Sequence, residues 1–418
     1  MTATDELGFN DPTAQRLERV TTGADPATVG PMLGDLLHDP RWLECDVALI
    51  SGGKSNLTYR VACDAGEVIL RRPPLGHILP TAHDMGREYR VMTALADTAV
   101  PVPRTFHLGD AESPLGAPFY VMERVVGHIC RNARPPGYAE TPDGCRKIGE
   151  ALVDVLADLH SVDPGSIGLA EFGRPAGFME RQLRRWSQQW EASKTTDLPA
   201  LDALRDDLVA TLPEQRATAV VHGDYRLDNT ILHPTQVGTI AAVLDWEMST
   251  LGDPLADLGA MLAYWSEAGD SAVLRRARIM APVTACEGFL TRAEVIERYA
   301  RQTGIDTSDI DWYQSFAYFK LAVVCQGIAA RAAGGSMVGT GFDQELLNSL
   351  GRRLRELSRD RSPFANPSAI RERGVTWVRP ELVAQIGFTE WTSAGRLRHP
   401  RFLGLRDDKA ATEVVRER

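Results

Sequence analysis

Lysine is scarce in this chain: only five of its 46 basic residues are lysine, at positions 54, 147, 194, 320 and 409. The six cysteines are scattered without a CxxC pair, and the nine histidines do not cluster. This distribution argues against a disulfide framework and against a zinc site. No apolar run reaches the roughly 20 residues of a membrane span. The first thirty residues also lack the apolar core of a secretory signal, so we expect a cytoplasmic protein with reduced thiols and no membrane partner.

The charge balance is acidic rather than basic. The 418 residues carry a formal net charge of −10, with 44% hydrophobic and 24% charged residues. These proportions are typical of globular proteins and exclude disordered and fibrous classes. A nucleic-acid partner is not expected, because binding to phosphate backbones needs a basic surface. The length predicts two or three folded units.

The hydrophobic pattern divides the chain into four segments. Residues 1–24 are polar and predict a loose arm. Residues 25–123 predict a small lobe with a short amphipathic helix, period-two strands around Leu57, Tyr59 and Val61, a second helix, and a strand that ends at Glu123. Together these features indicate an antiparallel sheet crossed by one helix.

Residues 124–362 are mainly helical, with helices predicted near 255–266, 272–301 and 313–333. Two short apolar runs, 219–221 and 240–244, interrupt them, and polar residues follow each run at once. Residues 363–418 differ in character, since from residue 371 onward ten basic residues exceed seven acidic ones. The sequence therefore predicts an α+β fold with a small sheet lobe, a larger helical lobe and a β-rich tail.

The most informative motif reads VHGDYRLDN at 221–229, and DWE follows at 245–247. Phosphoryl transfer needs a carboxylate to accept the proton of the attacking hydroxyl, and oxygen ligands for Mg²⁺ on the phosphates. An Asp, an Asn five residues later, and a second Asp after a short strand provide these groups. Any one such Asp is more often a turn or cap residue, but the ordered set favours catalysis.

This arrangement resembles the catalytic and metal-binding segments of the aminoglycoside phosphotransferase family, which has a bilobal protein-kinase-like fold. HGD is found here in place of the HRD motif of protein kinases, and DWE in place of their DFG motif. The stretch GDPLADL at 252–258 continues the resemblance, which covers roughly residues 40–350. The resemblance implies that Asp224 is the catalytic base and that Asn229 and Asp245 bind Mg²⁺. It also implies that His222 braces the loop and that Asp257 anchors it through backbone or His hydrogen bonds.

A glycine turn between two predicted strands is the candidate phosphate loop. Ser51, Gly52, Gly53 and Asn56 lie in it, and backbone N–H groups in such a turn can approach phosphates. A Walker P-loop is excluded, because Ala48 occupies the position of its first glycine and a strand, not a helix, follows. A hairpin that binds no ligand is the alternative.

In kinases a strand lysine grips the phosphates and pairs with a helix glutamate. The helix residue here is predicted to be Glu88, which lies near an apolar stripe and needs a cationic partner. Arginine replaces the lysine, with Arg71 as the first candidate and Arg72 as the second; a guanidinium can bind phosphate in a bidentate manner. The resemblance further implies that the backbone from Glu123 to Val125 contacts the adenine.

The last 45 residues or so resemble the end of the OB-fold domain of bacterial ATP-dependent DNA ligases, with Arg406, Asp407 and Lys409 in the terminal motif. None of the five lysines is followed by x-Asp-Gly, so the chain lacks a ligase nucleophile. Ligase activity is therefore not expected. Such a fragment supplies only the last strands of a barrel.

These observations predict a Mg²⁺-dependent phosphotransferase that uses ATP or GTP. The acceptor would be a hydroxyl of a small molecule, either an aminoglycoside-like antibiotic or a hydroxylated metabolite. A catalytically idle nucleotide-binding or scaffold protein of the same fold is the alternative, and the absent strand lysine favours it. The oligomeric state is not indicated.

Overall fold

The structure is a computed structural model. It describes residues 16–18, 23–51, 56–75, 84–271, 274, 282–333, 344–360, 377–387, 390–391, 397–398 and 401–406. They form two compact units, one within Met1–Gln188 and Leu198–Leu321, the other within Gln189–Asp197 and Ala322–Arg418. We expected the last boundary at 362/363. The chain instead changes unit inside a helix, where no proline breaks the sequence.

An antiparallel sheet of six strands lies in the first unit, in the order β1-β2-β3-β4-β6-β5. Its strands are β1 (Arg16–Glu18), β2 (Asp46–Ser51), β3 (Leu57–Cys63), β4 (Gly66–Arg72), β5 (Thr105–Gly109) and β6 (Phe119–Glu123). Along β3, Tyr59 and Val61 are buried while Thr58 and Arg60 are partly exposed, which confirms the predicted alternation. The segment expected to be a loose arm contributes β1, which pairs with the end of β2.

Two helices accompany this sheet, α1 (Pro26–Leu36) and α2 (Met85–Leu95). Each begins after an aspartate whose carboxylate accepts a backbone N–H of the first turn: Asp25 from Ala27 at 3.0 Å and Asp84 from Arg87 at 3.0 Å. This capping satisfies donors that a helix start leaves free. The buried stripe of α2 includes the carboxylate of Glu88 among its apolar side chains.

The remaining chain is mainly helical, as predicted. Its helices are α3 (Pro142–Ser161), α4 (Phe178–Ser193), α5 (Pro199–Ala210), α6 (Leu255–Tyr264), α7 (Arg292–Thr303), α8 (Ile310–Ala333) and α9 (Gln344–Glu356). The prediction of one continuous helix near 272–301 is wrong, because residues 282–291 are not α-helical and α7 starts after Thr291, which forms a capping box with Glu294. Residues 272–273 and 275–281 lie outside the described residues. In the part of the chain that the structure describes, no helix combines the length and apolar character needed to cross a bilayer.

Both apolar runs of the helical region form strands, and each pairs with a neighbour. Strand β7 (Ala219–Val221) pairs with β10 (Thr250–Gly252), and β8 (Thr230–Leu232) pairs with β9 (Ile240–Val243). All are short and antiparallel. They fix the polar segments that follow β7 and β9.

The second unit contains short strands, of which all but the first lie in the predicted tail. They are β11 (Ser358–Arg359) with β12 (Trp377–Val378), β13 (Ala384–Gly387) with β16 (Arg401–Leu405), and β14 (Glu390–Trp391) with β15 (Leu397–Arg398). The predicted β-rich tail is thus confirmed. Among the described residues these are separate two-stranded pairs, a form that has little stability by itself.

Close packing of α6 on α8 gives a test of the fold. A Cβ at Gly259 would lie 2.7 Å from the carbonyl carbon and Cβ of Tyr313. We expect Gly259→Val to lower the free energy of unfolding by about 1–3 kcal/mol, because the helices must move apart. Urea unfolding measures this. Gly269→Ala is the control, since no atom lies within 4 Å of its Cβ position; equal stability of the two variants would contradict the described packing.

Candidate active site

The loop after β7 carries His222, Gly223 and Asp224. Gly223 adopts φ +86, and a Cβ there would lie 2.8 Å from the Cβ and carbonyl oxygen of Met248. Other residues are disfavoured by both the positive φ and this contact. The glycine thus lets the loop pass close to the segment that precedes β10.

Asp257, in the first turn of α6, holds this loop by its backbone. Its Oδ2 accepts the N–H of His222 at 2.6 Å, and its Oδ1 accepts the N–H of Gly223 at 2.8 Å. His160 Nε2 lies 3.3 Å from Oδ2. Burial alone would raise the pKa of Asp257, but the hydrogen bonds from His160 and from the backbone N–H of His222 lower it below the ordinary value. The residue therefore remains an anionic acceptor for both amides.

His222 connects the loop to the second acidic segment. Its Nε2 donates to the carbonyl oxygen of Leu244 at 2.8 Å, and its Nδ1 accepts the N–H of Asp224 at 3.2 Å. These two bonds require the neutral imidazole with its proton on Nε2. The ring also packs on Trp246 with centroids 4.7 Å apart. His222 is thus a brace between Asp224 and the residue that precedes Asp245.

Strand pairing brings Asn229 close to the DWE segment. Thr230 is opposite Val243 in the β8–β9 register, and Leu244 N donates to Asn229 O at 2.8 Å. The Asn229 Nδ2 donates to the backbone oxygen of Asp224 at 2.8 Å and to its Oδ2 at 3.0 Å. Asn229 is therefore bonded both to Asp224 and to Leu244, the residue that precedes Asp245.

The backbone of Asp245 is in the left-handed region, with φ 67 and ψ 56. Such a conformation is uncommon for a residue other than glycine and concentrates at functional sites. The Asp245 Oδ1 accepts a hydrogen bond from Arg71 Nη2 at 2.7 Å. The acidic segment is thereby joined to the sheet.

Arg71 on β4 pairs with the predicted helix glutamate. Its Nε lies 3.1 Å from Glu88 Oε2. Glu88 also accepts hydrogen bonds from Tyr120 OH at 2.9 Å and from Asn56 Nδ2 at 2.8 Å. The other candidate, Arg72, instead donates to the carbonyl oxygen of Gly23 and is not part of this cluster.

A third carboxylate completes the surroundings of Arg71. Glu247 Oε2 lies 3.9 Å from Arg71 Nη2 and 3.5 Å from Asn56 Nδ2. One guanidinium therefore faces the carboxylates of Glu88, Asp245 and Glu247. Burial, together with the charges of Asp245 and Glu247, raises the pKa of Glu88 to about 7 despite its contact with Arg71. The pKa of Arg71 lies above its ordinary value, because the surrounding anions outweigh its burial.

The donor set suits Mg²⁺ although it is no complete cage. Within the described ranges, no group of three His, Cys, Asp or Glu residues could hold a metal. Asn229 and Asp245 would supply an amide and a carboxylate oxygen, and Mg²⁺ commonly completes its octahedron with water and phosphate oxygens. The excess of carboxylates over guanidinium around Arg71 also favours a cation.

The other residues predicted for the nucleotide site are not among the described contacts of Arg71. Ser51 ends β2, where it is opposite Arg16 of β1; Gly52 and Gly53 lie outside the described residues. Glu123 is exposed at the end of β6, and its N–H donates to Arg104 O at 2.8 Å. Val125 is partly buried and packs on a small cluster with Ile231.

Several polar residues at this site were missed by sequence reasoning. Tyr120 and Glu247 contact the Arg71 cluster, and His160 contacts Asp257, as described above. Arg226 Nε lies 3.4 Å from Asp224 Oδ2 and 3.1 Å from Asp228 Oδ1. Lys320 of α8 donates to Gly223 O at 3.3 Å. Only Arg226 and Glu247 could have been suspected, because they lie inside the two motifs.

Comparison with known proteins identifies two regions. The model of a family described as phosphotransferase enzyme family matches residues 46–302. A solved structure from Ralstonia eutropha, named for the aminoglycoside phosphotransferases, is 35% identical with a TM-score of 0.60, and the match covers 75% of this chain and 90% of that one. This likeness confirms the α+β, protein-kinase-like fold.

The curated relatives align with this chain over only part of their own length. Acyl-CoA dehydrogenase family member 10 of Mus musculus is 39% identical over 286 residues, which is 68% of this chain and 26% of that protein. This chain thus spans about a quarter of that relative.

The C-terminal resemblance is confirmed separately. A model described as ATP dependent DNA ligase C terminal region matches residues 319–409. The multifunctional non-homologous end joining protein LigD of Mycolicibacterium smegmatis is 51% identical over 81 residues, or 19% of this chain and 11% of LigD. The match starts inside α8, well before the expected boundary at 363.

The buried Glu88 makes stability depend on pH. With a pKa of about 7 in the folded protein against 4.5 for a free side chain, the native state keeps a proton that the unfolded state has released. Between these values we expect the free energy of unfolding to fall as pH rises. Urea unfolding across this range measures it.

In Glu88→Gln the decline between these pH values should be smaller, whereas the exposed Glu171→Gln should retain the wild-type slope. A decline of the same size in Glu88→Gln would show that another group causes it.

Proposed function

Since the chain belongs to the phosphotransferase enzyme family, we propose that it transfers the γ-phosphoryl group of ATP or GTP to a hydroxyl of a small molecule. The principal support is the convergence of Asp224, Asn229 and Asp245 through two strand pairs and the His222 brace. The Arg71–Glu88 pair supports the nucleotide half of the site. The alternative of a catalytically idle nucleotide-binding protein is less favoured, because Arg71 makes the ion pair that a strand lysine makes in kinases.

In the proposed reaction Asp224 orients the acceptor hydroxyl and accepts its proton. A bond forms between the acceptor oxygen and the γ-phosphorus, and the bond from that phosphorus to the β–γ bridging oxygen breaks, leaving a nucleoside diphosphate. Such chemistry depends mainly on positioning and charge stabilisation. The Asn229 Nδ2, which donates to Asp224 Oδ2, and the Asp257–loop bonds would keep the carboxylate in place.

Asn229 and Asp245 are the residues that would hold Mg²⁺, which when bound neutralises charge on the phosphate oxygens. Arg71 would reach the same phosphates from β4, since its guanidinium already lies against Asp245. The turn after Ser51 and the backbone from Glu123 to Val125 remain the proposed contacts of the phosphates and the adenine. His222 and Asp257 act through the loop rather than on substrate.

The acceptor is proposed to be an aminoglycoside-like compound or a hydroxylated metabolite. The name of the mouse relative concerns acyl-CoA dehydrogenation, but this chain aligns with only 26% of that protein. Dehydrogenase activity is therefore not proposed. The ligase-like segment is likewise assigned no ligase activity, because no lysine occurs in a KxDG motif.

Replacing the proposed base tests the function. We expect Asp224→Ala to reduce Mg²⁺-dependent nucleotide hydrolysis by about 10²–10⁴-fold, because the attacking oxygen loses its general base. Phosphate release from ATP and GTP provides the measurement. Asp228→Asn, on the same loop and paired with Arg226, is the matched control and should change the rate little. Equal rates in wild type and Asp224→Ala would support the idle nucleotide-binding alternative.

The metal ligands give a separate prediction. Asp245→Asn and Asn229→Ala should raise the Mg²⁺ concentration needed for half-maximal hydrolysis, because each removes one oxygen ligand or its charge. A titration of Mg²⁺ at saturating nucleotide measures the shift, and chelation by EDTA should abolish the activity. An unchanged Mg²⁺ requirement in both variants would argue against this ligand pair.

A further inference from the structure

Lys320 is a partly buried cation beside the proposed base. Its Nζ donates to the carbonyl oxygen of Gly223 at 3.3 Å, one residue before Asp224. The same Nζ lies 5.5 Å from the ring centroid of Trp186 on α4. Lys320 therefore lies where α8, α4 and the loop after β7 meet, in contact with the residue that precedes the proposed base.

The charge of this ammonium is not neutralised by an ion pair. Among the described residues, no carboxylate lies within 4 Å of Lys320 Nζ, although Arg226 on the same loop is paired with Asp224 and Asp228. Only one hydrogen bond to its three N–H donors is found in that part of the chain. Burial lowers the pKa of Lys320, which records the cost of keeping the charge there.

Two acidic and two basic side chains act on Lys320 without forming an ion pair with it. Arg185, the neighbour of Trp186 on α4, is exposed, and its guanidinium carbon lies 5.8 Å from the Trp186 ring. Burial lowers the pKa of Lys320, the charges of Asp224 and Asp257 raise it, and those of Arg185 and Arg226 lower it. A partly buried ammonium is stabilised by an anion that pairs with it, whereas another cation would be repelled.

We propose that Lys320 binds an anionic oxygen group of the acceptor, a carboxylate or a phosphate ester, while the acceptor hydroxyl faces Asp224. This deepens the proposed function, on which it rests, because Asp224 defines the acceptor position. It assigns to Lys320 a role in acceptor specificity. It also makes an anionic hydroxylated metabolite the favoured class over a polycationic aminoglycoside, which would meet the charges of Lys320 and Arg185.

A set of four matched three-carbon alcohols tests this preference directly. The probes are glycerate, glycerol 3-phosphate, neutral glycerol and cationic 3-amino-1,2-propanediol. Saturation-transfer NMR measures their binding to the full chain with ADP and Mg²⁺ in excess, so that the nucleotide site is filled. Glycerate or glycerol 3-phosphate should bind to wild type, and which of them binds identifies the anionic group. Glycerol and the amine should bind more weakly.

Variants locate the effect. Lys320→Met should weaken binding of the anionic probe by about tenfold, the value of one charge-assisted hydrogen bond, without changing binding of glycerol. Lys320→Arg should retain most of the anion binding. Lys147→Met removes an exposed lysine that is paired with Asp143 and should have no effect.

Two results would overturn the proposal: failure of both anionic probes to bind wild type more tightly than the amine, or equal anion binding by wild type and Lys320→Met. The first comparison needs no variant, so it decides the matter even if Lys320→Met does not fold. The Mg²⁺-dependent signal of ADP reports separately on the proposed function. If ADP does not bind, the glycerate comparison still tests Lys320.

Discussion

The guanidinium of Arg71 contacts three carboxylates, those of Glu88, Asp245 and Glu247. This excess of acidic groups over one basic group determines the electrostatics of the proposed site. The three anions come from a helix and a turn, and the cation comes from a strand, so the cluster fixes these elements to one another. Burial of Glu88, together with the charges of Asp245 and Glu247, raises its pKa despite the contact with Arg71. The same excess would be relieved by a divalent cation, which is consistent with the proposed Mg²⁺ ligands.

The cluster is one end of a continuous polar connection through the first unit. From Arg71 it passes to Asp245, then through the Leu244 carbonyl to His222, and from the His222 amide to Asp257. Each step uses a buried or partly buried group whose partner is fixed by strand register or helix position. Displacing one member would leave others unpaired, at a cost of about 1–3 kcal/mol each. The loop after β7 and the sheet are thereby positioned by the same set of bonds.

Sequence reasoning identified the residues whose partners are specified locally. Asn229 and Asp245 were linked through the family resemblance, and the β8–β9 hairpin that they flank is known only from the structure. Glu88 followed from a carboxylate near an apolar helical stripe. Lys320 could not be predicted in this way, since 97 residues separate it from Gly223. Tyr120 and His160 are also joined to the site by tertiary contacts only. The boundary at 363 stays a prediction from turn residues and composition, whereas the two compact units divide inside α8, at 321/322.

The proposed role of Lys320 would separate two tasks of the molecule along its sequence. The phosphotransferase family match ends at residue 302, and α8, which carries Lys320, begins at Ile310. The proposed base, metal ligands and nucleotide contacts all lie within the matched region. The cation proposed to select the acceptor lies outside it, on a helix that also enters the ligase-like match at 319. The chemistry of phosphoryl transfer is common to many acceptors. If one region holds the nucleotide and another helix contacts the acceptor, acceptor specificity could change without disturbing the loop after β7.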